Sequence, residues 1–166
     1  NLVDCVCKEP CRFLRPPISR AKRALLGFNY NEPNGEIKMV ERIVPDSMKA
    51  YYNDFHFAPA VIDGDHVRCS GVIGVEADGK CSDDPNVQIT TAFETLGEVL
   101  AAAGVSFADI TEMTTFHVGL QEHLGAFMAV KDKYMKEPYP AWTAIGITEL
   151  AFPGGLVEIR VTARKS

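Results

Sequence analysis

Two stretches with helical spacing of apolar residues interrupt a chain that otherwise alternates apolar and polar positions. The first begins at Asp84 and Pro85, an N-cap followed by proline at the first helical position, and stops at Gly104. The second covers residues 124–135 and must end before Pro138. Strand patterns precede, separate and follow them, in the order β-β-β-α-β-α-β-β. This order predicts an α+β domain with both helices on one face of a mixed sheet.

One strong hairpin pattern stands among the predicted strands. Alternating residues on both sides of the Asp-Gly-Asp sequence at 63–65 predict two antiparallel strands joined by a tight turn. The second of these strands runs into Ser70 and Gly71, where glycine indicates a bulge or the close approach of another segment. The closing strand, "GLVEIRVTAR", alternates an apolar face with a polar face that carries Glu158.

Residues 1–36 differ from the rest of the chain, because they contain three cysteines and several Pro and Gly residues but no sustained period. We interpret them as an N-terminal extension, either native or appended, ahead of a single domain at 37–166. Cys5, Cys7 and Cys11 are closely spaced, but no fourth Cys or His follows nearby, so a closed zinc site is not expected. Five cysteines, an odd number, fit free thiols in a reducing cytoplasm better than a disulfide framework.

The charge and motif content of the chain argue against several classes of function. The formal net charge is −5, and residues 1–36 contribute +2, so the predicted domain carries −7. An acidic domain repels phosphate backbones, which disfavours a nucleic-acid partner. The chain has no run of apolar residues long enough for a membrane span, and no motif for nucleotide binding, zinc proteolysis or serine hydrolysis. We therefore expect a cytoplasmic protein without a cofactor, a metal or a membrane partner.

Several short segments, taken together, identify a known family. The segments "CSGVIG", "AAAGVSFADITEMTTFHVGL", "YPAW" and "LVEIRVTAR" follow one another in the order found in the reactive-intermediate deaminase (RidA/YjgF) family. This family is also called the endoribonuclease L-PSP or translation-inhibitor family. The resemblance covers roughly residues 38–164 and is strongest to the YjgH-like branch. It implies a chorismate-mutase-like α+β domain that forms a homotrimer, with a small-molecule cleft between each pair of subunits.

The resemblance also implies an activity and one change at its site. Family members hydrolyse enamines or imines to 2-oxo acids and ammonia, and an arginine after Pro-Ala binds the substrate carboxylate through a charge-assisted pair. Trp142 stands at that position here. Because indole has one N–H donor and no charge, this change costs about tenfold or more in affinity for a carboxylate. The ligand is then neutral or aromatic, unless Trp142 packs between subunits and contacts no ligand.

Two positions of the family's site keep their residue type in this sequence. Ser70 matches the serine beside the pocket, and Glu158 matches the acidic residue that orients the attacking water. We predict these two as the catalytic residues, since an enclosed carboxyl group with a raised pKa is suited to general acid–base catalysis. An ion pair between Glu158 and Arg160 would instead give Glu158 a structural role.

The predicted binding residues depart from the family pattern. Phe57 replaces a tyrosine, and Ala144 replaces a frequent cysteine, whose backbone N–H is all that an oxyanion contact needs. Thr143, between Trp142 and Ala144, belongs to the predicted site as well. Lys131 matches a helix position that borders the family's cleft; it either supplies a relocated positive charge or is an ordinary solvated lysine.

Three functions follow as hypotheses. The first is an imine or enamine hydrolase of the deaminase type that acts on a substrate without a carboxylate, with Glu158 supplying the acid and base. The second is a non-catalytic trimer that binds an aromatic or apolar small molecule against Trp142 and Phe57. The third is an endoribonuclease or translation inhibitor, which the acidic domain and the missing arginine argue against.

Overall fold

The computed structural model describes residues 30–31, 37–38 and 40–165, and the cysteines at 5, 7 and 11 lie outside it. The described residues form nine strands: β1 (Tyr30–Asn31), β2 (Ile37–Lys38), β3 (Glu41–Ile43), β4 (Ala60–Asp63), β5 (His66–Cys69), β6 (Val72–Ile73), β7 (Ile110–Val118), β8 (Ala141–Ile147) and β9 (Val157–Arg164). They also form three α-helices: α1 (Lys49–Phe55), α2 (Pro85–Ala102) and α3 (Leu120–Tyr134).

Seven of these strands form one mixed sheet. Its order is β3-β4-β5-β9-β7-β8, and β6 pairs with β9 further along that strand. All pairs are antiparallel except β7–β8, which is parallel, so β8 is reached by the crossover through α3. β1 and β2 pair separately as a short antiparallel ribbon. The predicted α+β architecture with a mixed sheet is therefore confirmed.

Both long helices cover the same face of the sheet. Alternate residues of β9 are buried beneath them, and the buried set is Val157, Ile159, Val161 and Ala163. The opposite face of β9 carries partly or fully exposed polar residues, as the sequence alternation predicts. An aromatic row fills the space between helices and sheet, where Phe93 of α2 lies 5.8 Å from Phe127 of α3, measured between ring centroids. The core thus lies on one side, and among the described residues no helix or second sheet covers the other side.

The ends of α2 lie where the sequence places them. Asp84 is the N-cap, and its Oδ1 accepts a hydrogen bond of 2.8 Å from the backbone N–H of Asn86. Pro85 is the first helical residue, and Gly104 adopts a left-handed conformation with φ of +76° just beyond the end. The sequence prediction missed α1, because that helix buries none of its residues and therefore has no apolar stripe to detect.

A fully buried glutamine of α2 ties down two loops. The Nε2 group of Gln88 donates to the carbonyl oxygens of Ser82 and Gly154, each at 3.0 Å. Its Oε1 accepts from the backbone N–H of Leu156 at 2.5 Å. These bonds join the loop before α2 to the loop between β8 and β9. They also satisfy the polar side-chain atoms of Gln88, whose burial without hydrogen-bond partners would cost free energy. Within the described part of the chain, no helix is long and apolar enough to cross a membrane.

Candidate functional site

The predicted site residues fall into two groups. We call the first the sheet-face cluster: Phe57, Ser70, Gly71 and Glu158. Ser70 follows β5, and its hydroxyl donates a 2.7 Å hydrogen bond to the carbonyl oxygen of Ala58. The backbone N–H of Ser70 donates to Pro59 at 2.9 Å, so the segment that carries Phe57 is held beside the end of β5. In this structure Ser70 positions Phe57, since its hydroxyl proton is used within the chain.

Glu158 occupies space that only a glycine neighbour leaves free. It lies on the open face of β9, opposite Ile73 of β6, and a Cβ added to Gly71 would overlap its carboxylate. The close approach that the sequence predicted at Gly71 is therefore made by Glu158. The carboxylate pairs with no cationic side chain among the described residues, Arg160 included. Burial raises the pKa of Glu158.

We call the second group the strand-edge cluster: Thr115, His117, Lys131, Tyr139 and Trp142. The indole Nε1 of Trp142 donates a 3.0 Å hydrogen bond to Oγ1 of Thr115. The same Oγ1 lies 2.8 Å from Nε2 of His117, which is fully buried. Burial, and then the nearby His123, lowers the pKa of His117, which favours the neutral form of its ring. Oγ1 of Thr115 therefore accepts the indole N–H and forms a second hydrogen bond with Nε2 of His117, whose donor is set by the imidazole tautomer.

Aromatic packing holds Trp142 against the core of its own chain. Its ring stacks on Phe127 at 5.6 Å between centroids, and Phe127 meets the ring of His117 edge-on at 4.8 Å. Trp142 is half-buried, with its inner face on α3 and its outer face at the sheet edge. Because Thr115 already accepts the indole N–H, Trp142 offers a ligand an aromatic surface and no free donor.

Lys131 of α3 is a buried residue, so the expectation of an ordinary solvated lysine is wrong. Its side chain is only 10% exposed, and Nζ lies 5.2 Å from the ring centroid of Trp142 and 5.9 Å from that of Tyr139. Nζ also donates to Oδ1 of Asp132 at 3.0 Å. Such distances are those of cation–π contacts. The family resemblance places an arginine guanidinium at the strand position of Trp142. In this chain the nearby positive charge is the ammonium of Lys131, which comes from the adjacent helix α3.

The two clusters lie on opposite faces of the sheet. Trp142 is in register with Met113 of β7, which is buried beneath the helices. Glu158 is in register with Phe116 of β7, which faces the other way. Within one chain the clusters therefore do not share a cavity, and a cleft that contains both requires a second chain. Met113 and Phe116 differ in parity along β7, which places their partners Trp142 and Glu158 on opposite faces of the sheet.

The last two predicted binding residues divide between these faces. Thr143 is in register with Thr114 and shares the open face with Glu158. Ala144 is in register with Thr115 and shares the helix face with Trp142. Both are exposed in the single chain. Thr115, His117 and Tyr139 are not among the residues predicted from the sequence. The register of β7 against β8 places Thr115 and His117 on the sheet face that carries Trp142.

Strand β8, which carries Trp142, is an unprotected sheet edge. Within the described residues it pairs only with β7, and five of its seven residues are exposed. It contains no charged residue, and Ile145 is 39% exposed. Edge strands of proteins that remain monomeric are usually protected by charges, proline or bulges. None of these occurs within β8.

The mixed sheet, the two covering helices and the parallel β7–β8 pair define a YjgF/RidA-like α+β protein. The family model described as Endoribonuclease L-PSP matches residues 48–165, and the chain belongs to this family. RutC family protein YjgH of Escherichia coli K12 is 38% identical over 129 residues, which are 76% of this chain and 97% of that protein.

Solved structures agree with this assignment. The structure of protein YJGH has a TM-score of 0.70 at 36% identity and covers 75% of this chain and 95% of its own. RidA from the Antarctic bacterium Psychrobacter sp. PAMC 21119 has a TM-score of 0.61 at 27% identity, covering 65% and 87%. TdcF of E. coli, solved with bound serine, has a TM-score of 0.60 at 26% identity, covering 66% and 88%.

Proposed function

We propose that this protein is a small-molecule hydrolase of the imine or enamine deaminase type, with its site in a cleft between two subunits. One subunit contributes the sheet-face cluster and its neighbour contributes the strand-edge cluster. The assembly is a homotrimer, as the family resemblance implies. We place it in a reducing cytoplasm, in keeping with the free thiols of Cys69 and Cys81.

Self-association is supported by the surfaces that a single chain leaves uncovered. Among residues 40–165, no strand pairs with the outer edge of the uncharged β8, and no layer packs on the sheet face opposite the helices. Closed assemblies of identical subunits are the common way in which soluble proteins cover such surfaces. In this arrangement, two clusters that lie on opposite faces of one chain's sheet can form one site, since the neighbouring subunit supplies the second cluster.

The observation that carries the proposed activity is the environment of Glu158. Its carboxyl group has a pKa raised by burial and no cationic partner among the described residues. Such a group holds a proton more readily than an exposed glutamate and can transfer it. In imine hydrolysis, Glu158 protonates the C=N nitrogen, water adds to the carbon, and the carboxylate then accepts the proton of that water. Collapse of the carbinolamine releases ammonia and leaves the carbonyl product.

The walls of the cleft support an unsaturated or aromatic ligand. Trp142 is half-buried with its ring stacked on Phe127, and Phe57, whose ring lies 6.4 Å from that of Tyr51 between centroids, is the aromatic residue that the other subunit would contribute. The serine bound in TdcF supports a small ligand of amino-acid size for this family member as well. The sequence prediction of a ligand without a carboxylate was based on the loss of the arginine. The ammonium of Lys131 supplies another positive charge beside Trp142, and this charge bears on whether the ligand carries a carboxylate.

A non-catalytic binding trimer is the second candidate. One observation favours it: the Ser70 hydroxyl donates to a backbone carbonyl of its own chain, so one of the two predicted catalytic groups is already occupied. An endoribonuclease activity is opposed by the net charge of −5. RNA cleavage that persists in highly purified protein and disappears in Glu158→Gln would instead favour the endoribonuclease over the other candidate functions.

The test is ammonia release from freshly generated imines, with and without a carboxylate. Glu158→Gln removes the titratable proton and keeps the shape, and it is expected to lower the rate about 100-fold or more. Glu112→Gln is the matched control, because Glu112 is an exposed glutamate of neighbouring β7. Equal rates for the wild type and Glu158→Gln would exclude Glu158 from the mechanism. Light scattering on the same samples should give three copies, and a monomer would contradict the shared cleft.

A further inference from the structure

We propose that Lys131 is the anion anchor of the cleft, so that the ligand is a small organic anion whose charged group binds Nζ beside the rings of Trp142 and Tyr139. The inference depends on the proposed function only in placing the ligand at the edge of β8. It differs from the expectation of a neutral ligand, which was based on the lost arginine alone.

The burial of Lys131 requires an explanation beyond packing. Lysine is almost never buried unless it is paired, because removing an ammonium from water is costly. The carboxylate partner of Lys131 is the adjacent Asp132, whose side chain is 61% exposed and therefore well screened by water. A pair of this kind contributes little, so it does not account for a cation at a helix position flanked by Phe127 and Tyr134.

The surroundings of the ammonium are suited to a ligand. Nζ carries three N–H donors, and the single hydrogen bond it donates within the described chain goes to Asp132. The two aromatic rings restrict water on its other sides without neutralising its charge. Tyr139 is 63% exposed, so the outer ring lies at the surface where a ligand enters. An anion here gains a charge-assisted hydrogen bond in a partly dehydrated site.

Lys131 also explains how Trp142 can replace an arginine. The indole N–H is bonded to Thr115, so Trp142 cannot bind an anion itself. Instead its ring lies against the lysine, and one residue supplies the flat wall while the other supplies the charge. A lysine ammonium makes point contacts with an oxyanion and lacks the two parallel donors of arginine. The site therefore selects for negative charge more than for the planar geometry of the anionic group.

The experiment compares two probes of equal shape and different charge, phenylacetate and phenylacetamide. Binding is measured by calorimetry and by the fluorescence of Trp142, the single tryptophan of the chain. We expect the wild type to bind phenylacetate about tenfold or more tightly than phenylacetamide. Lys131→Met keeps the aliphatic length and removes the charge, so it should abolish the difference. Lys133→Met, at an exposed lysine of the same helix, should preserve it.

Each alternative outcome has a definite meaning. Equal binding of both probes to the wild type, no binding of phenylacetate, or a preference that survives in Lys131→Met would overturn the anchor. Lys131→Gln repeats the measurement with a polar side chain, in case the methionine variant does not fold. If Lys131 governs binding while Glu158→Gln leaves ammonia release unchanged, the anchor stands and the proposed hydrolysis fails. If hydrolysis depends on Glu158 but its rate is the same for charged and neutral substrates, the proposed hydrolysis stands and the anion anchor fails.

Discussion

The sheet-face cluster and the strand-edge cluster are stabilised in different ways. In the first, backbone geometry does the positioning: Gly71 leaves room for Glu158, and Ser70 bonds to the backbone of the segment that carries Phe57. In the second, side chains hold one another, and Thr115 and Lys131 surround Trp142. A group fixed by the backbone allows few substitutions at its neighbours. A group fixed by side chains can change its residue types together, as the tryptophan in place of an arginine illustrates.

The largest expected effect comes from mixing variants of the two clusters. Glu158→Gln disables the sheet-face cluster, and Lys131→Met weakens anion binding at the strand-edge cluster, so at substrate concentrations below KM each protein alone should have about a tenth of the wild-type rate or less. Co-assembly of equal amounts should restore activity, because about one interface in four then combines two intact halves. The measurement is ammonia release after the two variants are co-refolded.

The control for this experiment is each variant refolded alone and mixed afterwards without subunit exchange. That sample should remain at background. Absence of recovery in co-assembled samples of confirmed mixed composition would show that both clusters act within one subunit, contrary to the register-based separation proposed above.

A smaller effect is expected from adding one methyl group at Gly71. Gly71→Ala forces the Glu158 carboxylate to move, so activity should fall as far as in Glu158→Gln, while the free energy of unfolding decreases by about 1–3 kcal/mol. Gly74→Ala is the contrast, because its added Cβ would overlap the backbone carbonyl of Gln88, which cannot rotate away. It should destabilise the fold more and leave the activity of the folded fraction intact. Denaturant unfolding and rate measurements on both variants check this; the opposite ranking would contradict it.

The smallest effects are two pH dependences of opposite sign. Burial raises the pKa of Glu158 above its ordinary value of 4.5, so the folded state retains a proton that the unfolded state has lost. Stability contributed by this group therefore falls as the pH rises from 4.5 through the raised pKa. The pKa of His117 lies below its ordinary value of 6.5, because burial and then His123 disfavour its charged form. Here stability falls as the pH drops below 6.5, since the unfolded state takes up the proton first.

Denaturant unfolding over about pH 4 to 8 separates the two groups. Glu158→Gln should gain stability over the wild type above pH 4.5, and the gain should vanish below it. His117→Gln should flatten the loss of stability below pH 6.5. His56→Asn is the control, because His56 is exposed and left-handed, with φ of +58°, a conformation that asparagine tolerates. A difference in stability between the wild type and either variant that stays constant across this pH range would contradict the assignment for that group.

The sequence was sufficient for the parts of the molecule that follow local rules. The Asp-Gly-Asp turn at 63–65, the N-cap of α2 and the alternating faces of β9 each depend on a few neighbouring residues, and all three were predicted correctly. Gly71 was correctly predicted as a point of close approach. The residue that approaches it, Glu158, lies 87 positions further along the chain and could be found only from the pairing of β6 with β9.

The strand-edge cluster was less accessible to sequence reasoning. Its members come from β7, α3, β8 and the segment just before β8, and the contacts depend on a parallel register that no turn specifies. Nothing in the sequence distinguishes Lys131 from a solvated lysine of a surface helix. Its burial follows from the rings of Tyr139 and Trp142 lying close to it in three dimensions. The placement of Glu158 and Trp142 on opposite faces of one sheet likewise follows only from the register of β8 and β9 against β7.

The buried amide of Gln88 determines where this chain can change in length. Its three hydrogen bonds reach the backbone of two separate loops, so one residue inserted into either loop would strand a buried donor or acceptor. Surface loops ordinarily absorb insertions at low entropic cost. The turn at Gly64, where an added Cβ would touch nothing, is the site at which extra residues or a tag can be introduced.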